Sequence, residues 1–518
     1  MLPLAKLARD CQSGMSNLAG SPCLVLSEHL PPCMHRVNSP CTPFPESERF
    51  AMKCFAMNSH VLILSVTVLA AMAPAVVAAE PQATAAPPAS TVSSGRESTS
   101  EKQQPSGNVA ALPDLGLQPP RLIPAADYTP DVEKSSRGSQ GVPAIERAAN
   151  GRLWAAWYTG RGKRGVESPF SYVVLATSGD DGTSWTEKLV IRARKYVHTY
   201  DPCLWNDPEG RMWFFWAQSA GLQDGRMGVW AVVTENSGEE NPRWTEPRRI
   251  ANGVMLNKPT VLANGAWLLP AGLWRDNTGL PNIALDRYDL SPYTKEMLEH
   301  DLGEERGSNV YRSQDNGKTF ERIGQARIPG TRVDEHMIVE RRDGSLWMLL
   351  RNIRGIAQSV STDGGRTWSS GPLYREGRKY ANKRFFLRRL KSGALLLVRN
   401  NAPEGGQRTH LTAFVSDDEG QSWLGGLLLD ERESSYPDGT EAEDGTIYVI
   451  YDHQRYTRNR DGKPGVGSVL LARFTEADVR AGKKVSATLR LQTDVTRLKT
   501  EAEVSQAAAE SDAASPEQ

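Results

Sequence analysis

The sequence predicts an all-β chain folded as a six-bladed β-propeller of four-stranded antiparallel blades, and three observations predict it. A turn ending in glycine recurs six times, a second polar turn motif recurs four times, and the copies are one blade apart. The glycine turns are Asn150-Gly151, Glu209-Gly210, Asn264-Gly265, Asp343-Gly344, Ser392-Gly393 and Asp444-Gly445. Each is followed by a strand opening on apolar or aromatic residues, such as Leu153-Trp154 or Ile447-Tyr448. Successive turn glycines stand 59, 55, 79, 49 and 52 residues apart. Tight hairpins need positive φ, which Asn, Asp and Gly accept, so the pattern predicts two-residue loops joining the first and second strands of each blade.

The second motif reads S-x-D-x-G-x-[ST]-[WF]. It begins at Ser178, Ser313, Ser361 and Ser416 and ends at Trp185, Phe320, Trp368 and Trp423. Its Asp and Ser side chains can bond nearby backbone N–H groups, its Gly permits the tight turn, and its aromatic ring can pack between sheets. A degenerate fifth copy ends at Trp244-Thr245-Glu246.

Lys plus Arg and Asp plus Glu number 61 each in 518 residues, so the chain lacks the basic excess expected of a nucleic-acid binder or a membrane-surface protein. Residues 61–79 form an apolar run that ends in Val77-Ala78-Ala79 and follows Met52-Lys53. That pattern predicts a signal peptide over 52–79, translation starting at Met52 or Met57, and residues 1–51 as a mis-assigned extension. The mature protein is then secreted or periplasmic, with no membrane contact beyond the export signal. Cys11, Cys23, Cys33, Cys41 and Cys54 precede the cleavage point, and only Cys203 remains. One thiol builds neither an intrachain disulfide nor a cysteine-based zinc site. Residues 80–118, rich in Ala, Pro and Ser, read as a disordered linker, 119–492 as the propeller, and 493–518 as a disordered or frayed helical tail. No His, Asp or Glu set has ligand spacing for a catalytic metal, and no cofactor is expected.

First strands of propeller blades start near the central axis. Counting nine residues back from each turn glycine gives Val142, Asp201, Leu256, Glu335, Arg384 and Tyr436. Four of these are polar, and carboxylates, a cation and a phenol converging on one axis suit a glycan site. His198, Tyr200 and Asp201 open the second blade and Asn257-Lys258 the third, placed to contact sugar hydroxyls. His336, next to Glu335, points to the opposite strand face and reads as a core histidine.

The repeated S-x-D-x-G-x-[ST]-[WF] motif resembles the Asp boxes of the sialidase (neuraminidase) superfamily, and the resemblance spans Arg121 to Thr475. In that family the box is a structural turn on the propeller's outer side. The segments Glu335-His336-Met337-Ile338-Val339-Glu340 and Ser435-Tyr436-Pro437-Asp438-Gly439 resemble those carrying the family's base and nucleophile. The resemblance implies Tyr436 as nucleophile and Glu335 as its base, a neutral phenol suiting a substrate that carries its own carboxylate. Glu167, eleven residues before the first box, stands where the family has its acid/base Asp. Arg408, eight residues before the fourth box, matches one of three carboxylate-binding arginines. A second is expected at Ile356, with Arg354 two residues away. The third is replaced, the segment reading Gly141-Val142-Pro143, so that Arg137, Arg161 or Arg384 would have to supply the cation. These residues imply an exo-acting glycoside hydrolase removing a terminal acidic sugar from glycans, and the incomplete clamp predicts poor activity on ordinary sialosides. Two other functions fit the sequence. One is a polysaccharide lyase or atypical glycosidase on uronate- or rhamnose-type glycans, with His198 and Tyr200 as acid and base. The other is a glycan-binding propeller without catalysis.

Overall fold

The computed structural model describes residues 115–161, 168–222, 226–274, 285–291, 293–298, 302–376, 380, 383–456, 465–499 and 503. The expected extension, signal segment and most of the linker lie outside the described residues. Among the described residues, strands form six antiparallel sheets in chain order. The first blade contains β1 (Arg121–Pro124), β2 (Arg137–Arg147), β3 (Leu153–Arg161), β4 (Tyr172–Ser178) and β5 (Thr186–Arg192), in the order β1-β5-β4-β3-β2. It is thus four strands with a fifth added outside. The second runs from β6 (Val197–Asn206) and β7 (Met212–Ala220) to β9 (Arg248–Asn252), and the third from β10 (Thr260–Val261) to β13 (Glu321–Ala326). The fourth contains β14 (Met337–Glu340), β15 (Leu346–Asn352), β16 (Gly355–Ser361) and β17 (Leu373–Glu376). The fifth runs from β18 (Phe386–Arg389) to β21 (Leu424–Asp430). The sixth contains β22 (Ser434–Glu441), β23 (Thr446–His453), β24 (Ser468–Thr475) and β25 (Arg490–Arg497). Two boundaries move. Strand β25 reaches Arg497, past the expected limit at 492. The end of the expected linker is also part of the fold: Gln218 Nε2 donates to the carbonyls of Gly116 (3.0 Å) and Gln118 (2.8 Å).

Strand β7 is buried at every position, although it reads Met-Trp-Phe-Phe-Trp without polar alternation. A blade is covered on both faces by its neighbours, so its inner strands lose the in–out pattern of a one-sided sheet. Trp154, Trp205, Trp213, Trp267 and Trp347 fill these interblade layers.

All six turn glycines have positive φ, between 80° and 99°. The turns are not the expected two-residue loops. Ala148 N donates to Arg152 O (2.8 Å) and Gly151 N to Ala148 O (2.9 Å), and the same pair of bonds recurs at the other five hairpins. This is a three-residue loop, a type I turn closed by a left-handed glycine, in which the residue before the glycine does not adopt positive φ. The four boxes form the connection between third and fourth strands. In the first, Ser178 Oγ accepts from Gly182 N (2.9 Å), and Asp180 accepts from the backbone (2.9 Å) and hydroxyl (2.6 Å) of Ser184. Those bonds, the Ser184 hydroxyl foremost, hold Asp180 down to about 2. The second blade places Trp244 there, edge-on to Trp154 at 6.1 Å and Phe214 at 6.0 Å. The sixth blade places the short helix Glu476–Ala481, begun by a Thr475/Asp478 capping box.

A buried polar plug fills the axis. Lys258 Nζ donates to Ile145 O (2.6 Å) and Leu204 O and pairs with Glu146 and Asp438, each at 3.3 Å. Arg384 donates to Asn257 Oδ1 (2.7 Å), Leu256 O (2.9 Å) and Pro437 O, while Asn257 Nδ2 donates to His336 O (2.9 Å). These bonds touch all six blades. Lys258 and Arg384, read from the sequence as sugar contacts, are instead buried structural ties, their charged groups spent on backbone oxygens and carboxylates. Burial works against the Lys258 charge, and Asp438 and Glu146 reverse that and raise its pKa.

Candidate active site

Three inner strands carry the same irregularity at one level. The register of β2, β6 and β22 shifts between Gly141 and Ala144, Tyr200 and Cys203, and Ser435 and Asp438. Val142, Asp201 and Tyr436 sit in these bulges with φ of 51°, 46° and 53°, and each precedes a proline. Positive φ is costly for a valine or a tyrosine, and such bulges serve to re-aim side chains.

The Tyr436 bulge brings its phenol to Glu335. Tyr436 Oη donates to Glu335 Oε1 at 3.2 Å, and Arg351 Nη1 donates to both, at 3.2 Å and 2.7 Å. Glu335 is 3% exposed and Tyr436 9%. Glu335 Oε2 is buried with no hydrogen-bond partner among the described residues, so the carboxylate keeps an open acceptor position. Arg351 is held charged by Glu335 against the opposing effect of burial. The Arg408 and Arg455 guanidinium carbons lie 5.0 Å and 4.5 Å from the Tyr436 ring centre. Lys383 is close enough to feel Arg408 and Arg351, and burial with those two charges pushes its ammonium down to about 8.

Of the residues expected from the sequence, Tyr436, Glu335 and Arg408 are brought together. Arg354 is not: it lies exposed in the turn after β15, and Arg351 reaches the phenol instead. The expected position Ile356 is the direct cross-strand partner of Arg351, so the cation stands one strand over. Arg137 ion-pairs with Glu187 at 2.7 Å in the first blade. Glu167 and the Arg161 side chain lie outside the described residues. Asp201 sits in the bulge of β6, nearly buried. His198 is buried, stacked on Tyr200 with ring centres 4.1 Å apart, and burial holds it down to about 3. Tyr200 is buried too, its hydroxyl on Met227 Sδ at 3.6 Å. An imidazole so enclosed and neutral is badly placed for acid–base work on a polysaccharide. His336 is the core histidine expected, its Nε2 2.8 Å from Asn309 O. Sequence reasoning missed Arg351, Arg455 and Lys383. Arg351 could have been found by reading back across the hairpin from Ile356, whereas no motif marks Arg455.

Blade count, boxes and an axial phenol–carboxylate pair ringed by guanidinium groups define a six-bladed propeller of the sialidase/BNR-repeat superfamily. Residues 151–449, more than half the chain, match the family model described as BNR repeat-like domain, and the chain belongs to that family. A sialidase from Micromonospora viridifaciens is 25% identical over 382 residues, which cover 66% of this chain and 56% of that protein. The chain thus spans little more than half the length of that relative. Among solved structures, the intramolecular trans-sialidase from Ruminococcus gnavus in complex with oseltamivir carboxylate is 14% identical with a TM-score of 0.49, covering 72% of this chain and 99% of that one. The leech intramolecular trans-sialidase complexed with 2,7-anhydro-Neu5Ac is 14% identical, also with a TM-score of 0.49, covering 68% and 70%.

Proposed function

We propose that the protein is an exo-acting glycoside hydrolase that removes a terminal acidic sugar, sialic acid or a close relative, from glycans. The observation that carries this reading is the Tyr436–Glu335–Arg351 contact, surrounded by the cations of Arg408 and Arg455. The Tyr436 oxygen attacks the anomeric carbon while its proton passes to Glu335. The bond to the aglycone breaks, and the departing oxygen takes a proton from an acid, a role expected of Glu167 outside the described residues. Water then attacks the anomeric carbon and gives a proton to the acid deprotonated in the first step, and the Tyr436–sugar bond returns its electrons to the phenol oxygen as Glu335 gives back the proton it took. Arg351, bonded to both partners, stabilises negative charge as it grows on the phenol. The name of the Micromonospora relative supports the same substrate class. Export by the 52–79 segment belongs to the proposal and would bring the enzyme to glycans outside the cytoplasm.

The guanidinium groups around the phenol also revise the expectation of a weak carboxylate clamp. On a panel of fluorogenic sialosides, uronosides and neutral glycosides, kcat/KM for a sialoside should fall in the ordinary enzyme range of about 10⁴–10⁸ M⁻¹s⁻¹. Tyr436→Phe should lower it by several orders of magnitude while leaving the thermal melt unchanged. Near-normal turnover by Tyr436→Phe, or no turnover of any acidic glycoside by the native chain, sinks the reading.

A further inference from the structure

We propose that Arg455 is an anion-binding residue of this site, delivered from the last blade into space that Gly141 of the first blade leaves open, with Asp452 as its positioning residue. The inference rests on the acidic-sugar reading above. Gly141 is not among the residues with positive φ, so its backbone does not demand glycine. Space does. A Cβ at 141 would stand 2.5 Å from Arg455 Nε, 2.9 Å from Arg455 Cγ and 2.7 Å from Asp452 Oδ2. Any side chain there would meet the guanidinium arm and its carboxylate together.

Arg455 is also held from both ends. Its carbonyl accepts from Gln140 N at 3.0 Å, and the next residue, Tyr456, bridges to Ser139. At the other end, Asp452 Oδ2 accepts from Arg455 Nη2 (2.9 Å) and Nε (3.2 Å). The same oxygen accepts from Val142 N at 2.9 Å, and Asp452 Oδ1 accepts from Ser435 Oγ at 2.5 Å. One carboxylate therefore fixes the guanidinium, the bulge of β2 and the residue preceding Tyr436. Burial disfavours the guanidinium's charge, and Asp452 outweighs it and keeps the group ionised. A charged fork fixed in this way, 4.5 Å from the phenol ring, is preorganised for a carboxylate on the sugar that the phenol attacks.

The test uses the full chain and two probes, 2,3-didehydro-2-deoxy-N-acetylneuraminic acid and its methyl ester, titrated by calorimetry. The native protein should bind the acid more tightly than the ester. Arg455→Ala should weaken the acid by about 10- to 150-fold, the scale of one charge-assisted contact, and leave the ester within about threefold. Asp452→Asn should show the same selective loss to a smaller degree. Adding Gly141→Arg to Arg455→Ala should return part of the preference for the acid, since the new arm enters the vacated space. Should Arg455→Ala fail to fold, Arg455→Lys carries the test, with a roughly tenfold loss for the acid alone. Equal weakening of both probes would reduce Arg455 to a structural tie, and an undiminished preference for the acid would remove it from the site. A double variant no better than Arg455→Ala would overturn the shared space. A native protein without preference for the acid would overturn the acidic-sugar reading and this inference with it.

Discussion

Lys258 and Tyr436 carry the same lesson in opposite directions. Both are polar residues near the starts of first strands, and from the sequence both read as site residues. Tyr436 is turned toward Glu335 by a bulge, whereas Lys258 points into the axis and neutralises Glu146 and Asp438. Removing one partner of a buried ionic cluster leaves the others uncompensated. Lys258→Met should therefore cost about 3–5 kcal/mol in a denaturant titration, while Arg354→Ala, exposed in its turn, should stay within about 0.5 kcal/mol. A Lys258→Met protein as stable as the native one would show that the plug does not hold the blades. Tyr436 and Glu335 were legible because each sits in a local motif. Arg351 was displaced from its expected place by one strand of a hairpin, and Arg455 comes from the connection after β23 in the sixth blade, not from the first blade where the third arginine was expected. Contacts between blades leave no period in the sequence, so counting from turn glycines could not reveal them.

Among the elements, the turns were the most legible and the strand starts the least. A left-handed glycine after a type I turn is demanded by backbone geometry alone, so it repeats in all six blades. The bulges occur in three blades of the six, and a fixed count of nine residues therefore lands on different environments in β2, β6 and β22 than elsewhere. The glycines also separate two physical costs. A Cβ on Gly210 would meet nothing within 4 Å, so Gly210→Ala should cost only the backbone strain of φ 81°, about 1–2 kcal/mol. A Cβ on the box glycine Gly420 would fall 2.4 Å from Trp347 of the preceding blade. Gly420→Ala should add about 1–3 kcal/mol of overpacking to a similar backbone term. Equal losses for the two variants, compared by denaturant midpoint at constant slope, would show that the boxes do not lock neighbouring blades.

At the scale of the whole molecule, the ring closes without exchanging a strand. The first sheet is built wholly from strands within 121–192 and the sixth from strands within 434–497, and side chains and single backbone contacts join them. Ile145 N donates to Asp438 (2.9 Å), Val142 N to Asp452 (2.9 Å) and Gln140 Nε2 to Gly467 O (2.5 Å), across 293, 310 and 327 residues of chain. Contacts so distant in sequence form late, because the intervening chain must be ordered first. On refolding from denaturant, β-sheet circular dichroism should return before binding of an acidic sugar, and simultaneous recovery of both would contradict late closure. Gly141, Tyr436, Asp452 and Arg455 all stand at this closure. A chain cut short before its sixth blade would still hold Glu335, Arg351 and five of the six sheets, yet own no phenol and no fork beside it. Under the proposed mechanism, incomplete copies made during synthesis would be silent, and turnover would begin only once the first and last blades have met.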